Sequence, residues 1–183
     1  MKAASIKIVI AGASAFSVPT VKRLNDLDYQ IAAVLTQPDR AAGRGLKQTK
    51  NPVKLFAEKV GLTLLDFESL DGENVFETIK KLSPDLLITI AYGGLIPQKI
   101  LDIPRCESIN IHPSLLPLWR GASPIQSAIL NGDTKTGISL IRMTPELDAG
   151  PIFAVTETSI DPEENTLTLS NRLANMSAIL MTD

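Results

Sequence analysis

Short, continuous apolar runs recur along the chain and predict buried strands. Residues 6–10, 31–36 and 86–90 are rich in aliphatic side chains, and the first and last of these runs lead into glycine-containing turns. Strands without polar alternation are typical of a parallel sheet that is covered on both faces. Between the first two runs, Val18, Val21 and Leu24 form one apolar stripe of a helix that Ser17 can cap. The order strand, helix, strand predicts a βαβ unit with a right-handed crossover.

The remaining pattern continues this alternation. Caps and apolar periods predict helices from Asn51 to Lys59 with a stop at Gly61, from a cap at Asp71 to Leu82, from Pro97 to Ile103, from Pro124 to Leu130 and from a cap at Asn165; further strands are predicted at residues 62–65, 108–111, 137–143 and 152–158. Only a short loop joins the last two strands, which therefore pair antiparallel. We predict an α/β fold, a Rossmann-like doubly wound and mostly parallel sheet with antiparallel strands near the C-terminus.

Composition narrows the function classes. The 183 residues suggest one domain, and a formal net charge of −2 argues against extensive wrapping of nucleic acid, so any RNA contact needs a local basic patch. One cysteine excludes an internal disulfide, and one histidine leaves no histidine/cysteine zinc site, so we expect no metal. No apolar run approaches the ~20 residues of a membrane span. The apolar N-terminal run is short and precedes a helical pattern, so we interpret it as a strand and expect a cytoplasmic protein.

The end of the strand at residues 108–111 carries the first candidate chemistry. Asn110 and His112 are two residues apart, which places both side chains on one face of the strand, and Pro113 then ends the ladder. The carboxyl ends of strands are where open α/β sheets bind ligands. His112 is the only histidine and therefore the only imidazole available for acid–base chemistry near neutral pH.

Asp148, on the loop between the last two strands, completes a candidate trio. A carboxylate beside an imidazole would orient the ring and favour its protonated form. An imidazolium and an amide N–H aimed at one point would stabilise an oxyanion, and one such donor is typically worth about 2.7–4 kcal/mol of barrier. No serine or cysteine pairs obviously with His112, which favours direct attack by a substrate amine on a carbonyl donor. From the residues alone, a structural histidine and a turn aspartate remain the alternative.

Residues 37–50, with the sequence QPDRAAGRGLKQTK, show no hydrophobic period. This connection is longer than the 2–6 residues usual for a βα loop, and it is basic, with Asp39 as its only acid beside Arg40, Arg44, Lys47 and Lys50. Two interpretations stay open: a solvated loop, or an arm that contacts the phosphates of an RNA backbone. The first turn, residues 12–16, lacks the glycines of a dinucleotide site, so we expect no phosphate cradle there.

Two motifs resemble one family. Residues 110–117, NIHPSLLP, and 147–150, LDAG, look like the signature of the 10-formyltetrahydrofolate-dependent formyltransferases. Within that family, the basic loop (TQPDRAAGRG, residues 36–45) and residues 119–126, WRGASPIQ, resemble the members that act on methionyl-tRNA. The resemblance covers essentially the whole chain.

The resemblance implies a function and a set of site residues. It implies transfer of a formyl group from 10-formyltetrahydrofolate to the α-amine of initiator methionyl-tRNA, for translation initiation, without a metal, a membrane or a stable protein partner. Asn110, His112 and Asp148 would be catalytic. The implied folate contacts are Ser114, Leu115, Leu116, Pro117, Tyr92, Gly93 and Leu95, and the implied tRNA contacts are Arg40, Arg44 and Lys47.

Two departures from the family pattern leave alternatives open. Residues 13–16 lack the acidic residue of the family's first turn, and the family continues into a C-terminal barrel-like domain that helps to hold tRNA. We therefore expect residues 1–183 to form the catalytic domain, as a fragment without that tRNA-binding domain. The alternatives are a formyltransferase for a small amine, such as an amino-sugar nucleotide or glycinamide ribonucleotide, and a folate- or tRNA-binding fragment without turnover.

Overall fold

The computed structural model describes residues 6–42 and 47–183, with the backbone alone for residues 40–42, 47 and 48. The strands are β1 (Lys7–Gly12), β2 (Gln30–Leu35), β3 (Arg40–Ala42), β4 (Lys47–Thr49), β5 (Leu64–Leu65), β6 (Leu86–Ile90), β7 (Glu107–His112), β8 (Lys135–Arg142) and β9 (Ile152–Ser159). The helices are α1 (Val18–Asp26), α2 (Pro52–Val60), α3 (Glu73–Leu82), α4 (Gln98–Leu101), α5 (Pro124–Asn131) and α6 (Thr166–Leu180).

Seven strands form one sheet in the order β5-β2-β1-β6-β7-β8-β9. The first five strands in that order pair in parallel, whereas β8 is antiparallel to both β7 and β9. The predicted fold class is confirmed. The chain leaves β1 towards β2 on one side and returns from β5 to β6 on the other, so the order reverses between β1 and β6. Such a reversal opens a crevice at the carboxyl ends of the strands.

Alternate side chains of the central strands enter two separate cores. On β1, Ile8 and Ile10 pack with α1, α2, α5 and α6, whereas Val9 and Ala11 pack with α3 and α4. Both faces of the central strand are therefore covered, which explains its unbroken apolar run. The candidate site residues lie on the face of the sheet that α3 and α4 cover.

The local end signals of two helices operate as predicted. The Asn51 side chain accepts from the backbone N–H of Lys54, and Gly61 ends α2 with a left-handed φ of 75°. Asn165 forms a capping box with Thr168 at the start of α6. These signals are confirmed because each depends on groups within four residues of one another.

Two local predictions are wrong, and one short hairpin was not predicted. Ser17 precedes α1 but does not cap it, because its hydroxyl is buried and donates to the carbonyl of Ile90 at 2.6 Å. Gly72, rather than Asp71, is the N-cap residue of α3, whereas Asp71 accepts from Ser69. The basic connection also contains a small antiparallel hairpin, β3 with β4, in which Arg40 pairs with Thr49. That hairpin has no apolar alternation by which the sequence could reveal it.

In the described part of the chain, no helix is long and apolar enough to cross a membrane.

Candidate active site

The end of β7 brings the two predicted polar residues to one place. Asn110 pairs with Thr89 of β6 on one side and with Ile141 of β8 on the other, and His112 is the last residue of the strand. The ring of His112 is buried, with 4% of its side-chain surface exposed. An imidazole and an amide therefore share one face at the carboxyl end of a central strand, as the two-residue spacing predicts.

Asp148 joins these residues from the β8–β9 loop. One carboxylate oxygen, Oδ1, accepts from the Asn110 amide at 3.0 Å. The other, Oδ2, accepts from the backbone N–H of Gly121 at 2.9 Å and lies 3.5 Å from His112 Nδ1. Asp148 adopts a left-handed φ of 49°, which is uncommon outside glycine, asparagine and aspartate. The loop thus holds a nearly buried carboxylate (6% exposed side chain) against an amide and an imidazole.

The second nitrogen of His112 also faces an oxygen. Nε2 lies 2.9 Å from the carbonyl oxygen of Trp119, and a carbonyl only accepts hydrogen bonds. A neutral imidazole has one N–H and can satisfy only one of the two oxygens around it. Because the Trp119 carbonyl only accepts, Nε2 carries the hydrogen of this contact, and Nδ1 faces the Asp148 carboxylate from 3.5 Å.

The segment after β7 is anchored from two directions. The buried hydroxyl of Ser139 on β8 donates to the carbonyl of Ser114 at 2.7 Å and accepts from the N–H of Leu116 at 3.2 Å. Further on, the indole Nε1 of Trp119 donates to Asp133 at 2.6 Å. Trp119 has a left-handed φ of 55°, and this conformation directs its carbonyl towards His112. The orientation of the imidazole therefore depends on residues from β8 and from the α5–β8 connection.

A cavity of about 600 Å³ opens over these groups. Its floor includes Thr89, Asn110, His112 and Asp148, and its walls come from three segments: the β6–α4 turn, residues 121–124, and the end of β8 with the loop that follows it. Two exposed leucines, Leu95 and Leu147, stand at its walls from opposite loops. This volume is in the range of small-molecule sites, and its mostly apolar lining with a few convergent polar groups is typical of them.

The predicted folate contacts divide into two groups. Tyr92, Gly93 and Leu95 line the cavity, and burial raises the pKa of the Tyr92 phenol, which keeps it neutral. Residues 114–117 do not line the cavity. Ser114 is fully buried, and its hydroxyl donates to the carbonyl of Leu118, which makes it part of the turn that precedes Trp119.

The basic segment of residues 37–50, here called the basic arm, begins beside the cavity. Its first residue, Gln37, lies against Gly94 of the cavity wall, where an added Cβ would be 2.9 Å from the Gln37 amide nitrogen. Lys54 of α2 bridges Asp39 at 3.0 Å and Asp66 at 2.6 Å, and both carboxylates raise the pKa of Lys54. The backbone of Arg40 and Lys47 lies in the hairpin of β3 and β4, whereas Arg44 lies outside the described residues.

Sequence reasoning missed three groups at this site. The Trp119 carbonyl and the Gly121 N–H are backbone groups, and their positions cannot be inferred from residue type. Thr89 lies inside an apolar run, and a single threonine there gives no signal beyond its polarity. As for metals, residues 6–42 and 47–183 contain no cluster of three histidine, cysteine or acidic side chains that could hold an ion.

Fold and site together define a doubly wound α/β protein with an amide–imidazole–carboxylate cluster at the carboxyl ends of its central strands. The sequence matches the family described as formyl transferase over residues 5–183. It is 45% identical to methionyl-tRNA formyltransferase of Methylococcus capsulatus and 41% identical to that of Geotalea uraniireducens, each over 96% of this chain. The chain belongs to the formyl transferase family.

Solved structures agree on the fold. Phosphoribosylglycinamide formyltransferase from Bacillus halodurans superposes with a TM-score of 0.75 at 18% identity, over 97% of this chain and 96% of that one. A sugar N-formyltransferase from Shewanella superposes with a TM-score of 0.71 at 21% identity, over 97% of this chain and 67% of the other. In contrast, this chain spans 57% and 56% of the two curated relatives named above.

Proposed function

We propose that this chain is the catalytic domain of an enzyme that transfers the formyl group of 10-formyltetrahydrofolate to the α-amine of initiator methionyl-tRNA, in the cytoplasm. The observation that carries the proposal is the contact of Asp148 with both Asn110 and His112 at the floor of the cavity. The choice of acceptor is supported by relatives named methionyl-tRNA formyltransferase, which are 41–45% identical to nearly all of this chain.

The chemistry is a direct acyl transfer. The methionyl amine attacks the formyl carbon, the bond from that carbon to folate N10 breaks, and the proton that the amine loses is balanced by the one that N10 gains. Charge accumulates on the formyl oxygen between these steps. Asn110 has a second amide N–H beyond the one that it gives to Asp148, and this N–H is suited to stabilise the oxyanion.

On this proposal, His112 supplies positive charge beside the formyl oxygen. Its Nε2–H bonds to the Trp119 carbonyl, so contact with the oxyanion requires that this N–H be shared with, or turned away from, that carbonyl. Asp148 stabilises the imidazolium from the Nδ1 side and assists removal of the amine's proton through a water molecule. No covalent enzyme intermediate is needed.

The acceptor tRNA would be held by the basic arm. Gln37, at the start of this arm, lies against Gly94 of the cavity wall, which supports a position for the tRNA beside the cavity. Arg40, Arg44 and Lys47 are the proposed contacts, with electrostatic attraction to phosphate as their contribution. On this proposal, residues 1–183 perform the chemistry, and the part of the relatives' length that this chain does not span contributes to tRNA affinity.

The deciding experiment offers this chain 10-formyltetrahydrofolate with one of three acceptors: methionyl-tRNA, glycinamide ribonucleotide or an amino-sugar nucleotide. Formyl transfer to methionyl-tRNA alone supports the proposal. Transfer to one of the small amines instead would show that the proposed acceptor, methionyl-tRNA, is wrong. In parallel, Arg44→Ala should weaken transfer to methionyl-tRNA and flatten its salt dependence, and unchanged activity of that variant would argue against the arm as a tRNA contact.

A second comparison separates catalysis from binding. His112→Ala should abolish transfer and leave the affinity for folate within a few-fold, because the ring acts on the reacting atoms. If wild-type chain binds folate and tRNA but transfers nothing, the same assay on a protein of the relatives' full length distinguishes an incomplete enzyme from a binding module.

A further inference from the structure

A buried hydroxyl in the cavity floor lacks a partner. Thr89 on β6 is 7% exposed, and its Oγ1 makes no hydrogen bond to any described residue. Buried polar groups are nearly always hydrogen-bonded, since each loses its water on folding. Because Thr89 also lines the ligand-sized cavity, a bound ligand is the group that can satisfy its hydroxyl.

The sheet register places Thr89 beside the candidate catalytic groups. Thr89 is the direct neighbour of Asn110 in the parallel pair β6–β7, and adjacent strands are about 4.8 Å apart. Ile88 and Ile90, on either side of Thr89, enter the core on the opposite face. The Thr89 side chain therefore projects from the same face as Asn110, one strand away from it.

We propose that the Thr89 hydroxyl hydrogen-bonds the formyl-bearing end of the bound folate donor. This inference rests on the proposed function and adds a donor contact to it. The formyl amide and the neighbouring ring present both acceptors and donors, and a hydroxyl can serve either. Thr89 and Asn110 are one strand spacing apart, so a ligand atom that bonds to the Thr89 hydroxyl would lie next to the formyl oxygen that Asn110 stabilises. Thr89 thus positions the donor for attack.

The test compares Thr89→Val, which removes the hydroxyl at nearly constant shape, with Thr89→Ser, which keeps it. Titration calorimetry measures the Kd of 10-formyltetrahydrofolate and of tetrahydrofolate for each variant. We expect valine to weaken binding by about 5- to 20-fold, the loss typical of one hydrogen bond, and serine to stay within about threefold of wild type. If valine is not accommodated, Thr89→Ala provides the same comparison.

Thr20 offers a matched control. Its Oγ1 is likewise buried without a partner among the described residues, but it lies in α1 and does not line the cavity. Thr20→Val should therefore keep wild-type folate affinity. Neither valine variant should lower the urea midpoint of the unliganded protein, because each removes a hydroxyl that makes no bond in the fold.

Each outcome has one meaning. Weaker binding of the formylated donor alone places the contact at the formyl group, and weaker binding of both folates places it at the ring; both results support the proposal. Unchanged affinity of Thr89→Val, with wild type binding normally, overturns this contact and leaves the proposed function intact. If the wild-type chain binds neither folate, the proposed donor is wrong and this contact with it.

Discussion

His112 donates from Nε2 to the carbonyl oxygen of Trp119 at 2.9 Å, and that carbonyl is held in place from outside the site. Trp119 adopts a left-handed φ of 55°, a conformation that surrounding contacts must maintain. Its indole N–H supplies one such contact by donating to Asp133 at 2.6 Å. Asp133, which does not line the cavity, is therefore a positioning residue for the imidazole.

Asp133→Asn should lower kcat by about 3- to 10-fold and leave the KM for the folate donor unchanged, because replacing a charge-assisted hydrogen bond with a neutral one loses about 1 kcal/mol. Trp119→Phe removes the same bond and should have a similar effect, and the double variant should add little to either. Steady-state formyl transfer measures all three.

Asn131→Ala is the control for this pair. Asn131 donates to the other oxygen of Asp133, Oδ1, so its loss leaves the indole contact on Oδ2 intact. If Asn131→Ala lowers kcat as much as Asp133→Asn does, the turn as a whole matters rather than the indole bond.

Asp148→Asn should reduce kcat by about 10²- to 10⁴-fold while the protein stays folded. Asparagine tolerates the left-handed φ of 49° at this position, but its amide removes the charge beside His112 and places an NH2 group against one of the two donors, Asn110 or Gly121. Rapid-quench assays measure the rate, and circular dichroism monitors the fold.

Asp26→Asn changes an exposed carboxylate that pairs with Lys22 on α1 and should leave kcat unchanged. An Asp148→Asn rate within tenfold of wild type would show that the carboxylate serves only the turn.

Gly150→Ala should destabilise the protein by about 1–3 kcal/mol and lower activity with it. An added Cβ would lie 2.0 Å from the carbonyl oxygen of Arg142, a backbone atom that cannot move without displacing the loop that carries Asp148. Urea unfolding gives the stability. In Gly72→Ala, the closest atom, at 2.5 Å, is the end of the flexible Asn74 side chain, so this control should lose less, about the 0.5–1 kcal/mol by which alanine is the poorer N-cap. Equal losses in both variants would contradict the backbone-contact argument.

Asp85 should make part of the stability dependent on pH. The backbone N–H of Lys7, which donates at 2.8 Å, is the largest cause that holds the pKa of Asp85 below its usual value near 3.8, and Arg105 adds to it. A folded-state pKa below the unfolded one means that the stabilisation is complete above the unfolded value and is lost as pH falls through the folded one.

Urea midpoints of wild type and Asp85→Asn should therefore differ most near neutral pH and converge below about pH 4. Asp102→Asn, at an exposed carboxylate that accepts from Gln98, is the control for a general effect of removing charge. A constant difference between wild type and Asp85→Asn across this pH range would contradict the carboxylate's role.

Local patterns determined most of the secondary structure and part of the site. The apolar run of β6 matches its observed bounds, and the caps at Asn51 and Asn165 work as predicted, because each signal lies within a few residues of the structure that it specifies. The shared face of Asn110 and His112 follows from the two-residue period of a strand. The sequence by itself therefore determined the α/β class and two of the three predicted catalytic side chains as neighbours.

Tertiary structure alone decided the rest. Asp148 meets Asn110 across 38 positions because β8 ends at Arg142, opposite Ile109 of β7, and the loop after β8 then carries the carboxylate to the side chains of Asn110 and His112. The Ser17 hydroxyl donates to the carbonyl of Ile90 at the end of β6 and therefore does not cap α1. Tertiary structure also decides that the Trp119 carbonyl faces His112 and that the hydroxyl of Thr89 is buried without a partner among the described residues. Both depend on strand order and burial, which result from contacts between residues far apart in the sequence and are not encoded in a local pattern.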